Sequence, residues 1–332
     1  MYLRNKKIRA FGLIKLSIVL MVIGLISAAA LSALNARVAS NKVKLTNYHI
    51  KEVYKAMQIY LLTNKRLPCP ASMLILKGVT GYGAEVTGGV FCGTGASSSA
   101  STGVYADSGT TSIAYGAIPT QTLALPSEFA EDAYGTRLAY MVHKNSVVAC
   151  EATPNFSNNN FCTPATGSVT NLITVNQSAV ALTSTAIFAV ISYGPNKSGG
   201  FNPSSTTQIT RSSDTDEAAN DATATFDAGA GVNTAGFNNV LNYFVASNNV
   251  LDDIVFFKTR DDVVKDSKGL FLIPCAGYSD GTYTWPATRY DAIAVSSTVC
   301  TDINVGYING PYSPSRKCGA GGAWGSVIVP CS

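Results

Sequence analysis

Eight cysteines are the residues whose type and spacing point most directly to chemistry in this chain. All follow the apolar N-terminal segment and lie among Ser, Thr, Asn and Gly, which is typical of disulfides formed in an oxidising compartment. Structural zinc is disfavoured, because its ligands come in close pairs and no two cysteines here are closer than Cys150 and Cys162. The eight are Cys69, Cys92, Cys150, Cys162, Cys275, Cys300, Cys318 and Cys331.

The connectivity stays open at this point, because eight cysteines can pair in many ways. A sequential pairing is favoured, since each pair then brackets one local loop. It joins Cys69 to Cys92, Cys150 to Cys162, Cys275 to Cys300, and Cys318 to Cys331.

Residues that carry enzyme chemistry are few. The chain has two histidines, His49 and His143, and lacks the Gly-x-Ser-x-Gly, His-Glu-x-x-His, Walker and Gly-x-Gly-x-x-Gly patterns. His143 is the main catalytic candidate if the chain is an anchored hydrolase whose site the sequence conceals. We expect instead a protein that is not an enzyme and has no cofactor of its own.

The N-terminal region combines a basic leader with a long apolar stretch. Residues 1–10 hold four basic side chains, and Leu16–Ala36 is a run of 21 uncharged residues. As a helix, such a run spans roughly 30 Å of hydrocarbon. Residues 37–63 then continue with an amphipathic helical pattern. We predict a transmembrane and stalk helix over 11–64; the alternative is an ordinary signal peptide cut near Ala30.

The formal charge of +4 is unevenly distributed. Residues 67–332 carry 12 basic against 19 acidic residues, a net charge of −7. A basic face is what nucleic acid requires, so no nucleic-acid partner is predicted.

The rest of the chain is predicted to be rich in strands. A globular domain over 65–265 has strand patterns at Arg137–His143, Ala181–Tyr193 and Ile254–Thr259, separated by polar insertions. Residues 266–332 alternate short apolar runs with Gly, Ser and Pro turns. They are predicted to form a small, disulfide-stapled, β-rich module.

The leader resembles that of the prepilins, the class that contains type IV pilins and the pseudopilins of type II secretion. Those chains have a basic leader, a small residue at the cut, then Phe and a branched apolar run, which residues 10–20 match. The resemblance implies cleavage between Ala10 and Phe11. It places Lys15 where the family has a Glu that pairs with a neighbour's N-terminal amine during assembly.

Three further segments resemble major pseudopilins. Residues 132–140 look like their Asp-Pro-Trp-Gly…Tyr-x-Tyr segment, 191–196 like their Ser-x-Gly-x-Asp loop, and 249–254 like their Asp-Asp-Ile. In those proteins the last two segments bind calcium. The resemblance therefore implies Ca²⁺ ligands at the Tyr193 carbonyl, Asn196, Asp252 and Asp253, as hard oxygen donors on loops. The alternative is a turn and a solvated acidic pair.

The resemblance implies an α+β fold with a long N-terminal transmembrane and stalk helix packed on an antiparallel sheet. The implied function is a membrane-anchored minor or tip subunit of a type IV pilus or type II secretion pseudopilus. Its partners would be other pilins or pseudopilins, contacted through the N-terminal helix, a prepilin peptidase and an inner-membrane assembly platform. The implied location is the inner membrane, single pass, N-terminus inside. The alternative is a Sec-secreted or anchored adhesin or binding protein.

Overall fold

The computed structural model describes residues 11–87, 92, 104–107, 113–143, 146–147, 172–177, 180–212, 220, 240–242 and 253–267, with shorter pieces at 278–279, 284–285, 293–295, 315–318 and 324–328. Two compact units divide the chain, Met1–Asn47 and Tyr48–Ser332. The sequence predicts domain boundaries after residues 10, 64 and 265, whereas the two units meet after Asn47. The predicted boundaries stay predictions.

Helix α1 runs from Phe11 to Asn64. It ends where Lys65 takes a left-handed backbone conformation, with φ of 56°. The Lys65 amide then donates to the Leu61 carbonyl, which satisfies one of the last helical carbonyls. Pro68 and Pro70 follow, and a proline does not continue a helix.

In the first unit, the described side chains of α1 are exposed along 15–26 and 34–45. The consecutive residues Val19–Ile23 are among them, so apolar side chains lie on every side of the helix. The large apolar ones in the first stretch are Leu16, Ile18, Val19, Leu20, Met21, Val22, Ile23, Leu25 and Ile26.

The predicted transmembrane helix and inner-membrane location are contradicted. Among the helices of the described residues, none combines the length and apolar character needed to cross a membrane.

The second unit is built on a seven-stranded sheet. Its central strand is β5, whose last seven residues are buried. Ala189 of β5 pairs with Met141 of β3 and with Phe257 of β7, so these two strands flank β5 on opposite sides. The strands are β1 (Tyr105–Asp107), β2 (Ile113–Ala117), β3 (Ala139–His143), β4 (Ile173–Gln177), β5 (Val180–Ser192), β6 (Val240–Asn242) and β7 (Ile254–Thr259).

The sheet is mixed, which also corrects the predicted fold class. Most pairs are antiparallel, but β4 pairs with β6 in parallel, with Val175 opposite Leu241. A parallel neighbour requires a crossover connection, which strand patterns alone do not reveal.

Both faces of the sheet are covered, and this explains why β2 and β3 are buried along their whole length. On one face, Ile50, Val53 and Met57 of α1 pack with Tyr140 and other strand residues. On the other face, chain segments that include Met73 and Phe201 pack with Met141 and Ile191. The alternation of side chains along β3 sends successive residues to the two layers.

A short helix, α2 (Arg260–Asp266), follows β7 directly. The Thr259 hydroxyl accepts from the Asp262 amide, and the Asp262 carboxylate accepts from the Thr259 amide, a capping box that explains the abrupt change from strand to helix. Val263 and Val264 of α2 join the core on the helix-covered face.

The described pieces after residue 267 are short antiparallel strands. They are β8 (Tyr278–Ser279) paired with β9 (Thr284–Trp285), and a sheet of β10 (Ile293–Val295), β11 (Ser315–Cys318) and β12 (Trp324–Ile328). The Trp285 ring is buried, and the Arg316 guanidinium lies 4.4 Å from its centre. Trp285 is therefore a core side chain that links the two small sheets.

Candidate functional site

The three segments that resemble pseudopilins meet at one end of the sheet. The first precedes β3, the second follows β5 and the third leads into β7. In the antiparallel register, Ala139 lies opposite Ile191 and Ile254 lies opposite Ser192. The start of β3, the end of β5 and the start of β7 are thus neighbours. We use the name loop cluster for the described residues at this end of the sheet: 132–138, 192–196 and Asp253.

Asp132 is the centre of this loop cluster and is only 5% exposed. Its Oδ1 accepts the amides of Tyr134 and Thr136, both at 2.9 Å. Its Oδ2 accepts the hydroxyls of Thr136 at 2.6 Å and Ser192 at 2.7 Å. An aspartate that binds its own turn is a common local motif, whereas the bond to Ser192 joins two separate loops.

The implied calcium ligands are largely engaged with protein groups. The Tyr193 carbonyl accepts from the Lys197 amide at 3.0 Å, and Asn196 Oδ1 accepts from the Ser198 amide at 2.9 Å. Asp253 is fully buried, and its Oδ2 accepts from Asn220 Nδ2 at 2.8 Å. Asp252 lies outside the described residues.

In the part of the chain that is described, no group of three or more His, Cys, Asp or Glu side chains is arranged to hold a metal ion. Calcium binding stays a prediction.

Arg137 was predicted only as the first residue of a strand, and its role was missed. The side chain is fully buried and donates to the carbonyls of Met73 at 2.7 Å, Ile75 at 2.8 Å and Pro203 at 3.1 Å. Burial lowers the pKa of Arg137 below its usual value, and the charges of the nearby Tyr82 and Glu131 oppose this effect. Arg137 thus binds the two segments around Met73 and Pro203 that cover the sheet. Its carbonyl partners are distant in the sequence, so no local pattern predicts them.

Glu85 forms a second polar centre that sequence reasoning did not find. Its carboxylate accepts two bonds of 2.9 Å from Arg66, one of 2.8 Å from the Cys69 amide and one of 2.9 Å from the Tyr60 hydroxyl. Burial by itself would raise the pKa of Glu85, but these hydrogen bonds outweigh it and lower the pKa from 4.5. Burial and the Glu85 charge together raise the pKa of Tyr60 to about 12.

The same region contains a disulfide between Cys69 and Cys92, the first pair of the sequential connectivity. Five other predicted disulfide residues lie outside the described residues: Cys150, Cys162, Cys275, Cys300 and Cys331. Cys318 lies on β11, and its side chain is not described.

The predicted processing and assembly residues lie at the start of the chain. Ala10 falls outside the described residues, Phe11 is the first residue of α1, and the Lys15 side chain is exposed.

The two histidines lie in structural settings. His49 Nδ1 donates to the Glu131 carbonyl at 2.7 Å, and its ring packs 5.0 Å from that of Phe129. His143 is the last residue of β3 and is buried. The absence of an enzymatic function stays a prediction.

No protein-family model, curated protein or solved structure matches this chain. The resemblance to prepilins therefore rests on the residues of the chain itself and stays a prediction.

Proposed function

We propose that this protein is a pilin-like subunit, in a minor or tip position of a type IV pilus or a type II secretion pseudopilus. It acts by assembly and display of its globular unit, without catalysis. The observation that carries the proposal is the contrast between the two parts of α1. Apolar side chains such as Leu20 and Ile23 are exposed in the first unit, whereas Ile50 and Met57 are buried in the core of the second.

This contrast has an energetic consequence. Burying a large apolar side chain contributes about 1.5–3 kcal/mol, and nine such side chains are exposed between Leu16 and Ile26. A helix that is apolar on all sides requires surrounding apolar partners. Equivalent helices of other pilin-like subunits supply such partners, and a bundle of them would bury all sides of the helix.

The loop cluster adds a second line of support. The described residues of three short resemblances that are separate in the sequence become spatial neighbours around β5, as segments with a shared structural role are expected to do. In this proposal a prepilin peptidase cuts between Ala10 and Phe11, and Phe11 becomes the first residue of the assembled subunit. The proposal does not include a membrane-spanning helix.

The N-terminus of the mature protein tests the processing step. We expect mass spectrometry of the full chain, expressed with a prepilin peptidase, to find Phe11 as the first residue. A chain that retains Met1 would contradict the proposal. A start near Leu31 would identify a signal peptide and support a secreted binding protein instead.

Photo-crosslinking tests assembly separately. A photoreactive phenylalanine analogue at Val19 should give crosslinked oligomers in cells that also express the other pilin-like subunits. The same analogue at Lys51, an exposed position on the second part of α1, is the matched control and should give fewer. Equal yields at both positions would contradict assembly through the first part of the helix.

A further inference from the structure

A shallow groove on the globular unit is lined by residues other than those of the loop cluster. It has a volume of about 350 Å³, and its lining includes Val79, Thr80, Gly81, Tyr82, Gln121 and Ser127. This volume lies at the small end of the range of ligand sites in proteins.

One wall of the groove is a tight turn. The Tyr82 amide donates to the Val79 carbonyl at 3.1 Å, and the Gln121 amide donates to the Gly83 carbonyl at 2.8 Å. Gly83 has φ of +72°, and a Cβ there would lie 2.3 Å from Thr120 Oγ1. Glycine thus lets the turn pack directly against the segment that carries Gln121, so the two sides of the groove are held together.

Tyr82 provides an aromatic surface of fixed orientation. The buried Arg137 guanidinium lies 5.2 Å from the ring centre, and the Tyr82 hydroxyl donates to Glu131 Oε1 at 3.4 Å. Burial and the Glu131 charge raise the pKa of Tyr82 to about 12, so the ring is neutral at physiological pH. Glu131 is itself paired with Lys77 at 2.6 Å, which compensates its charge.

The polar side chains of the groove are available for a ligand. Within the part of the chain that the structure describes, the side chains of Thr80, Gln121 and Ser127 make no hydrogen bond, and all three are exposed. One amide and two hydroxyls thus face the solvent beside an aromatic ring. The Val79 side chain adds an apolar contact and is 53% exposed.

We propose that this groove binds a neutral carbohydrate, such as one end of an oligosaccharide. Sugar hydroxyls match amide and hydroxyl groups that both donate and accept hydrogen bonds. The C–H face of a sugar ring packs on an aromatic ring and an apolar side chain. The side chains named in the lining carry no charge, which favours a neutral sugar over an ionised one. The inference is independent of the proposed assembly.

Ligand-detected NMR on the purified full chain tests the proposal. The probes are maltotriose, cellotriose, triacetylchitotriose and lactose, with trigalacturonate as the charged comparison. We expect at least one neutral probe to bind at concentrations up to about 10 mM. The absence of binding by all four neutral probes at that concentration would overturn the proposal, and so would tighter binding of trigalacturonate than of any of them.

Two substitutions then locate the site. Gln121→Ala and Ser127→Ala should each weaken binding of the neutral probe by about three- to tenfold, as expected for the loss of one hydrogen bond. Ser204→Ala, an exposed serine on another loop, is the matched control for Ser127→Ala and should bind like the unaltered protein. Since all three positions are exposed, the fold is expected to be preserved. Unchanged affinity in both groove variants would overturn the placement of the site.

Discussion

Ser192 donates a hydrogen bond of 2.7 Å from its hydroxyl to Oδ2 of Asp132, a residue sixty positions earlier in the chain. The bond joins the loop before β3 to the end of β5, where β7 also begins. A single buried carboxylate thus ties together segments that are far apart in sequence. Hydrogen bonds to a charged group contribute about 1.5–3 kcal/mol each, so this contact is expected to have a measurable effect on folding.

Asp132→Ala should therefore destabilise the globular unit by about 2–4 kcal/mol, because four donors lose their acceptor in a buried place. Asp132→Asn should lower the free energy of unfolding by less, because one side-chain oxygen remains to accept the amides of Tyr134 and Thr136. Urea unfolding of the full chain measures both. The matched control is Asp261→Ala, because the Asp261 side chain is 96% exposed. This variant should change the free energy of unfolding by under about 1 kcal/mol. Equal effects of Asp132→Ala and Asp261→Ala would contradict the role of Asp132.

Arg137→Lys should destabilise the protein by about 2–3 kcal/mol. The guanidinium reaches several carbonyls at once, whereas an ammonium is a compact charge that cannot hold the same set in a buried place. The comparison variant is Arg37→Lys, an exposed arginine on α1 whose substitution should have little effect. The measurement is the urea midpoint at constant slope. A midpoint for Arg137→Lys equal to that of the unaltered protein would show that the carbonyl contacts contribute nothing.

Stability should depend on pH through Glu85. The pKa of Glu85 is lowered in the folded protein from its ordinary value of 4.5. Its contribution to the free energy of unfolding is therefore complete above about pH 4.5. That contribution is lost as the pH falls through the pKa of the folded state. The difference in unfolding free energy between the unaltered protein and Glu85→Gln should therefore shrink on acidification below pH 4.5. Glu128→Gln removes an exposed carboxyl and serves as the control. A difference that stays constant down to pH 3 would contradict this assignment.

Removal of the disulfide in the double variant Cys69→Ser, Cys92→Ser should cost about 3 kcal/mol, the value expected for a loop of 23 residues. Thermal unfolding measures the loss. Peptide mapping without reduction should recover Cys69 linked to Cys92, and the same map tests the three sequential pairs that stay predictions. A Cys69 peptide linked to any other cysteine would refute the connectivity.

Lys15→Glu should alter assembly while it leaves the globular unit unchanged. The Lys15 side chain is exposed in the first unit, so the urea midpoint of the globular unit should not move. The sign of this charge would decide whether it attracts or repels the N-terminal amine of a neighbouring subunit. The measurement is incorporation into pili or pseudopili, with Lys15→Arg as the charge-preserving control. Equal incorporation of the Glu and Arg variants would contradict the proposed pairing.

Local patterns in the sequence determined the elements that depend on neighbouring residues. The C-terminal end of α1 follows from the two prolines after Arg66, and β7 coincides with the apolar run Ile254–Thr259. The alternation of Leu138, Tyr140 and Val142 correctly indicated one buried face of β3, and these side chains do pack on the helix-covered side. Such features arise from backbone sterics and from side-chain period, which act over a few residues. The extension of the apolar pattern to a membrane span was wrong.

Contacts between distant residues were decided by the tertiary structure. The parallel pairing of β4 with β6 and the burial of the second face of β3 depend on how crossovers and covering segments pack. No local pattern marks the charged side chains of Arg137 and Glu85, yet Arg137 is fully buried and Glu85 partly buried, and partners from other segments hold both. A charge can be buried only where donors or acceptors from several segments converge, and that convergence exists only once the chain has folded.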